Sequence, residues 1–229
     1  MSKSRWWLLG LLAAPALAWG QGADDFDWEL CRNGGFTNTP VEFALAKVNV
    51  PRLHFLEDTQ GCPQQGGAAC RQKAYVVEGD TVVLAQHQGQ YVCAYYPDKK
   101  GGGSAGWVVA SDVQPLPRPD PLSLDDWAGV WMDGDNKLKL GVGPDSNLLV
   151  SGEAWWPSLA PDPKVFPGGP NTGAVEGRAR PKGNHWALAE SESQCRIRAQ
   201  ALGEVMVVAD NLQCGGMNVT FNGVYHRKL

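Results

Sequence analysis

The chain has 229 residues, of which 43% are apolar and 19% are charged, and its formal net charge at pH 7 is −4. These proportions are typical of a folded globular protein and exclude a disordered chain. The acidic balance excludes a strongly basic nucleic-acid binder. With 28 glycines and 16 prolines, the chain is rich in turns and has little room for long helices.

The first 22 residues have the pattern of a secretory signal peptide. Lys3 and Arg5 supply the positive start, residues 6–14 are apolar, and small residues follow at 16–18. The apolar run is too short for a membrane anchor, which needs about 20 residues, and Pro15 interrupts it early. We expect a periplasmic or secreted protein that is not embedded in a membrane.

All six cysteines follow the predicted signal peptide, and an even number in an exported chain indicates disulfide bonds. Four cysteines precede residue 114 and two follow it, so we expect each half to form its own bonds. The second half then has one pairing, whereas the first half leaves three pairings open. The pairs we favour are Cys31–Cys93, Cys62–Cys70 and Cys195–Cys214.

A proline-rich segment at 114–121, with proline at every second position, divides the chain. Because proline fixes φ and favours an extended conformation, we expect a stiff linker there. The predicted organisation is a signal peptide at 1–22, a disulfide-braced domain at 23–113, the linker at 114–121 and a second domain at 122–229.

Both halves contain short runs of β-branched and aromatic residues bounded by Gly, Asn or Asp, which is typical of strands. Neither half shows a convincing amphipathic helix. We therefore predict an all-β protein built from two small antiparallel barrels. The predicted strands cover 73–77, 81–85, 91–96, 106–110, 130–132, 137–140, 147–150, 186–189, 195–201, 205–209 and 219–225.

The first half contains, in order, Gly79-Asp80, the run Gly89-Gln-Tyr-Val-Cys-Ala-Tyr95 and Gly106-Trp107-Val108. Over residues 50–113 this order resembles a bacterial SH3 (SH3b) domain, with a diverging turn, a central strand pair and a closing strand. The resemblance implies a small barrel that binds peptides or cell-wall material and carries out no chemistry. Tyr96 and Trp107 are its candidate ligand contacts, and the alternative for Trp107 is a place in the barrel core.

The second half opens with Trp127-Ala-Gly-Val-Trp131 and closes with Phe221-Asn-Gly-Val-Tyr225. This pattern weakly resembles small lipocalin-like or lysozyme-inhibitor-like β-barrels of exported proteobacterial proteins. The resemblance carries over no functional residue.

Trp155 and Trp156 precede a stretch at 157–173 that contains five prolines, which we predict to be a long loop without regular structure. Neighbouring residues of a strand face opposite sides, so one of the two rings should point outward. An exposed tryptophan beside a stiff loop is a suitable anchor for a protein or a glycan. The alternative is that the loop folds over a barrel end and both rings plug it.

Arg178, with three further basic residues at 180, 182 and 185, forms a cluster that can meet an acidic partner, although a solvated strand face is the plainer interpretation. The run 102–106 matches a G-x-S-x-G nucleophile pattern, but it lies in a predicted hairpin loop rather than at a strand-to-helix elbow. The run 133–136 resembles the start of a calcium loop without the later ligands. We therefore expect no catalytic residue, no metal and no cofactor.

Taken together, these features predict a non-enzymatic exported binding protein of the bacterial envelope that recognises peptidoglycan or a protein partner. The predicted contacts are Tyr96, Trp107, Trp155, Trp156 and Arg178. The alternative function is a periplasmic inhibitor or immunity protein that neutralises a cell-wall-degrading enzyme or toxin. An enzyme is the least favoured class.

Overall fold

The computed structural model describes residues 30–32, 35–98, 103–157, 170–189 and 193–228, so the predicted signal peptide lies outside the described residues. Strands dominate these ranges, and the predicted all-β class is confirmed. The α-helices described are two single turns, α1 (Gly35–Asn38) and α2 (Leu124–Trp127). Among these residues, no helix has the length and apolar character needed to cross a bilayer.

Seven antiparallel strands form the first sheet and pair in the order β3-β2-β6-β5-β4-β1-β7. Alternation along the central strand directs Val92 and Ala94 to one apolar cluster, while Tyr91 and Cys93 face another. Both faces of that strand are therefore buried. The strands are β1 (Ala44–Val48), β2 (Arg52–Leu56), β3 (Arg71–Val77), β4 (Thr81–Gln88), β5 (Tyr91–Pro97), β6 (Gly103–Val109) and β7 (Val113–Pro115).

Eight antiparallel strands form the second sheet, in the order β11-β10-β9-β8-β15-β14-β13-β12. The two end strands, β11 and β12, lie in contact, so this sheet is nearly closed into a barrel. Strands that are consecutive in the sequence pair with one another from β8 to β11 and from β12 to β15. The last strand, β15, pairs with the first, β8. The strands are β8 (Gly129–Asp133), β9 (Asn136–Val142), β10 (Leu148–Trp156), β11 (Asn171–Ala179), β12 (His185–Ala189), β13 (Arg196–Leu202), β14 (Val205–Asp210) and β15 (Gly223–Lys228).

Side chains fill the inside of this second sheet. Trp131, Leu138, Phe221 and Tyr225 are among the largest of them, and each is almost completely buried. Gly152 of β10 also faces inward, where a Cβ would lie 2.6 Å from Leu138 Cδ2 and 2.9 Å from Phe221 Cε1. The interior is thus a packed core rather than an open cavity.

The two sheets share a hydrophobic cluster. It combines Phe36, Phe43 and Trp107 from the first half with Val205 and Val207 of β14. Residues 35–43, which we call the connecting arm, carry α1 and then run into β1. Because Met206 and Val208 face the barrel core while Val205 and Val207 face the arm, every residue of β14 is buried.

The proline-rich segment is held against the second sheet by one amide side chain. Asn184 Nδ2 donates to the carbonyls of Pro119 and Asp120 at 3.1 and 3.2 Å, and its Oδ1 accepts from the Leu122 amide at 2.8 Å. The first two residues of that segment, Gln114 and Pro115, belong to β7.

The three expected disulfide pairs are confirmed. Each bond joins two cysteines of the same half of the chain. Structural disulfides persist in oxidising compartments, so the bonds indicate an oxidising environment outside the cytoplasm.

Several element bounds differ from those predicted. Residues 171–173, expected to be part of a loop without regular structure, belong to β11, and 158–169 lie outside the described residues. The sequence of β11 misleads because it is mostly Gly, Thr and Ala, with only Val175 and Ala179 buried. The last strand starts at Gly223 rather than at 219, because Val219 and Phe221 fill the barrel core from the preceding loop.

Candidate functional site

Six tryptophans fall within the described residues, and they divide into two groups. Four are at most 2% exposed and belong to the apolar clusters, whereas Trp155 and Trp156 are 41% and 38% exposed. A large apolar ring in contact with water forgoes several kcal/mol of burial free energy, on the order of 2–3. The exposure of two adjacent rings therefore marks this end of β10 as a candidate contact surface.

Strand geometry explains the position of both rings. Residues of β10 alternate between buried and exposed from Leu148 to Trp155, and Trp156 is the last residue of the strand. Trp155 thus points away from the core, while Trp156 lies at the rim, past the packed interior. The prediction that at least one ring points outward is confirmed, and the rings do not plug the barrel in the part of the chain that is described.

A depression of about 630 Å³ lies beside Trp155. Its walls carry two carboxylates, Asp135 and Glu153, together with Thr172 of the neighbouring strand. Lys137 Nζ lies 2.7 Å from Glu153 Oε2, and Asn136 Oδ1 accepts from the Trp155 amide at 3.0 Å. We call Trp155, Trp156 and this depression the tryptophan surface.

The chemistry of the tryptophan surface suits a polyhydroxylated ligand. An indole ring offers a flat apolar face to the C–H groups of a sugar ring, and carboxylates and a hydroxyl beside it can bind sugar hydroxyl groups. The residues come from the β8–β9 turn, β10 and β11, so the strand register fixes them relative to one another.

The two contacts predicted in the first half differ in accessibility. Tyr96 is 36% exposed near the end of β5, whereas Trp107 is 1% exposed and packs in the cluster shared by the two sheets. Trp107 therefore occupies a core position, which was the alternative to a ligand contact. Sequence reasoning missed Tyr75, which is 48% exposed and lies under the Arg52 guanidinium at 4.5 Å.

Arg178 and the other basic residues of its cluster face different surfaces. Arg178 of β11 lines a shallow depression on the outer side of β9–β11. Arg180, Lys182 and His185 instead line a groove of about 370 Å³ between β12–β13 and the connecting arm. We call this the basic groove. Arg198 of β13, which sequence reasoning missed, is its fourth basic residue.

Contacts with the arm hold Arg198 in place. Its Nη2 donates to the carbonyls of Thr39 and Thr37 at 2.8 and 3.4 Å, and burial lowers the pKa of its guanidinium from the ordinary value. Such a group remains charged at neutral pH. On the opposite wall, Glu42 Oε1 lies 3.2 Å from His185 Nε2.

The two motifs that resemble catalytic or metal-binding sequences belong to ordinary strand structure. Ser104 lies within β6 and pairs with Tyr96, so it is not at the strand-to-helix elbow that the nucleophile motif requires. Asp133 and Asn136 close the tight β8–β9 hairpin, as expected for a polar turn. In the described ranges, no group of three or more His, Cys, Asp or Glu side chains is arranged to hold a metal.

Comparison with known proteins finds no matching family model, no matching curated protein and no matching solved structure. The functional inferences below therefore start from the surfaces of this molecule.

Proposed function

We propose that this chain is a non-enzymatic binding protein of the bacterial envelope, exported to the periplasm or secreted, that contacts the glycan strands of peptidoglycan through the tryptophan surface. The observation that carries the proposal is the exposure of the adjacent Trp155 and Trp156, with Trp155 lining a depression whose walls carry Asp135 and Glu153. Large aromatic side chains dominate binding energy where a partner covers them.

Features of the first half support a role at the cell wall. The Gly79-Asp80 turn, the β4–β5 pair and the Gly106-Trp107-Val108 run of β6 follow one another in the order that the SH3b resemblance implies. Bacterial domains of that kind bind peptides or cell-wall material. In this proposal Tyr96 is a second contact, used together with the tryptophan surface.

The export proposal rests on the signal-like pattern of residues 1–22 and on the three disulfides. Six bonded cysteines suit a compartment in which thiols are oxidised, and peptidoglycan is accessible from such a compartment.

Co-sedimentation of the oxidised protein with purified peptidoglycan sacculi tests the proposal. We expect the wild type to pellet with sacculi, and the Trp155→Ala/Trp156→Ala variant to bind at least about tenfold more weakly. Val142→Ala is the matched control, because Val142 is an exposed apolar side chain that pairs with Leu148, at the opposite end of β10 from the two tryptophans. Circular dichroism establishes that each variant is folded.

Soluble glycan fragments should release the bound protein, whereas free stem peptides should not. Tyr96→Ala reports separately on the first half. Trp107→Ala is not a usable variant, since it removes a buried core ring. Unchanged sedimentation of the double tryptophan variant would contradict the proposal.

A periplasmic inhibitor or immunity protein is the second candidate, and the same paired tryptophans favour it, because tryptophan is enriched among the residues that dominate protein–protein interfaces. Failure of the folded wild type to sediment with sacculi, combined with stoichiometric inhibition of a cell-wall hydrolase, would favour this candidate over the first.

A further inference from the structure

The basic groove is separate from the tryptophan surface. Trp155 pairs with Thr172 near the start of β11, whereas Arg180 directly follows the last residue of that strand. Eight residues of extended chain span about 26 Å, so a small ligand cannot reach both places. The basic groove is therefore a second, separate surface of the second half.

Positively charged side chains outnumber carboxylates among the residues that line the groove. Within the described ranges, Arg180, Lys182 and Arg198 form no ion pair, and Glu42 is the one carboxylate among the lining residues. Glu42 faces His185. The three unpaired cations thus leave an excess of two positive charges over Glu42, on a chain whose net charge is −4.

Small side chains form the floor of the groove. In the strand register, Arg198 lies between Ala187 of β12 and Ala209 of β14, and both alanines line the groove. The lining also includes Val41 of the arm, so apolar surface separates the charged groups.

The basic character continues beyond the groove along β13. Arg196 is two residues before Arg198, so the two side chains leave the same face of the sheet, and Arg196 is exposed. Its cross-strand neighbour is Ala189, again a small residue. A ligand that extends past the groove therefore meets a further cation in line with the first.

We propose that the basic groove binds an acidic peptide segment that carries at least two carboxylates. Guanidinium groups bind carboxylates through paired hydrogen bonds, and the spaced cations match charges distributed along a chain. The apolar floor favours an organic ligand with methylene groups between its charges over an inorganic anion. This site goes beyond the proposed glycan contact and does not depend on it.

Fluorescence polarisation with a labelled acetyl-(Glu-Ala)₃-amide peptide tests the proposal on the full, oxidised chain. We expect binding that weakens with added salt, and no binding of the corresponding (Gln-Ala)₃ peptide. Arg180→Gln/Lys182→Gln should weaken binding by about tenfold. Both side chains are exposed, so this variant leaves the anchored Arg198 intact.

Lys139→Gln/Arg178→Gln is the matched control. It removes the same charge from the outer depression of β9–β11 and should leave the affinity within about twofold. Equal weakening by both double variants would overturn the proposal, because it would show attraction to net charge alone. Absence of binding, or displacement of the peptide by an equal concentration of inorganic phosphate, would overturn it as well. Retained sacculus binding by Arg180→Gln/Lys182→Gln distinguishes this site from the tryptophan surface.

Discussion

Gln200 of β13 and Phe43 of the connecting arm are joined by two hydrogen bonds that imitate the pairing of neighbouring strands. The Phe43 amide donates to Gln200 Oε1 at 2.9 Å, and Gln200 Nε2 donates to the Phe43 carbonyl at 2.9 Å. Both bonds are buried. A single side-chain amide thus satisfies the backbone of a residue 157 positions away in the sequence.

Gln200→Leu should destabilise the whole molecule. The substitution leaves the Phe43 N–H and C=O buried without these partners, which costs about 1–3 kcal/mol for an unsatisfied polar group. Urea denaturation followed by tryptophan fluorescence measures the loss. Arg196→Gln is the control, because it changes an exposed residue of the same strand, and it should alter the unfolding free energy by less than about 0.5 kcal/mol. Equal stability of the two variants would contradict a clamp at Gln200.

Gly152→Ala should destabilise the second sheet through overpacking. The added methyl group would meet Leu138, Phe221 and Val175 at 2.6–2.9 Å, so the core has to shift, at a cost of about 1–3 kcal/mol. Thermal unfolding measures the change. Gly134→Ala tests a different cause, because nothing lies near that Cβ and the expected strain comes from its φ of +57°. Unchanged stability of Gly152→Ala would mean that the core around β10 is loosely packed.

Alkaline pH should weaken the contact between the sheets through Tyr95. Burial, aided by Asp133 and Asp98, raises the pKa of Tyr95 well above its ordinary value of 10. The stabilisation that protonated Tyr95 contributes is therefore complete below pH 10 and is lost as the pH rises further. While only the unfolded chain ionises, the free energy of unfolding falls by about 1.4 kcal/mol per pH unit. Tyr95→Phe keeps the ring contact with Phe36 and should reduce the slope of stability against pH by up to that amount. An identical slope for wild type and variant between pH 10 and 11 would contradict the prediction.

Acidic pH should act on the N-terminus of α2 through Asp126. Hydrogen bonds from the Ser123 hydroxyl and then from the Ser123 amide, with Arg227 nearby, lower the pKa of this carboxylate below 3.8. Its stabilising effect is therefore present above pH 3.8 and is lost as the pH falls through the lowered pKa. Asp126→Asn should lower the denaturation midpoint at pH 6, and the difference from wild type should shrink toward pH 2. Asp125→Asn removes a neighbouring charge and should show no such convergence.

The sequence contains enough information to predict most local structure. Runs such as Tyr91–Tyr96 alternate between two environments, and Gly134 supplies the left-handed turn residue of a tight hairpin. The Cys195–Cys214 pair follows from the division of the cysteines between the halves, which leaves three pairings open in the first half. Local pattern and spacing determine these features, so no knowledge of distant contacts is needed.

Contacts between distant segments could not be read in the same way. The run Val205-Met-Val-Val-Ala has no alternation, which is the pattern of a strand buried on both faces, yet nothing local identifies the connecting arm as its cover. The sequence grouped Arg180, Lys182 and His185, but Arg198 and the arm that completes the basic groove were missed for the same reason. Arg198 is opposite Ala187 in the strand register and lines the same groove as Arg180 and Lys182, whereas their sequence neighbour Arg178 lines the depression of β9–β11.

The Cys31–Cys93 bond has a consequence for the cover of the second sheet. Cys31 lies just before the connecting arm and is fixed to β5, so one covalent bond in the first half secures the arm that covers the second. Reduction frees the arm's leading end and makes it easier to uncover Phe36, Phe43 and the outward valines of β14. Formation of this one bond in the first half therefore helps to keep β14 of the second half covered.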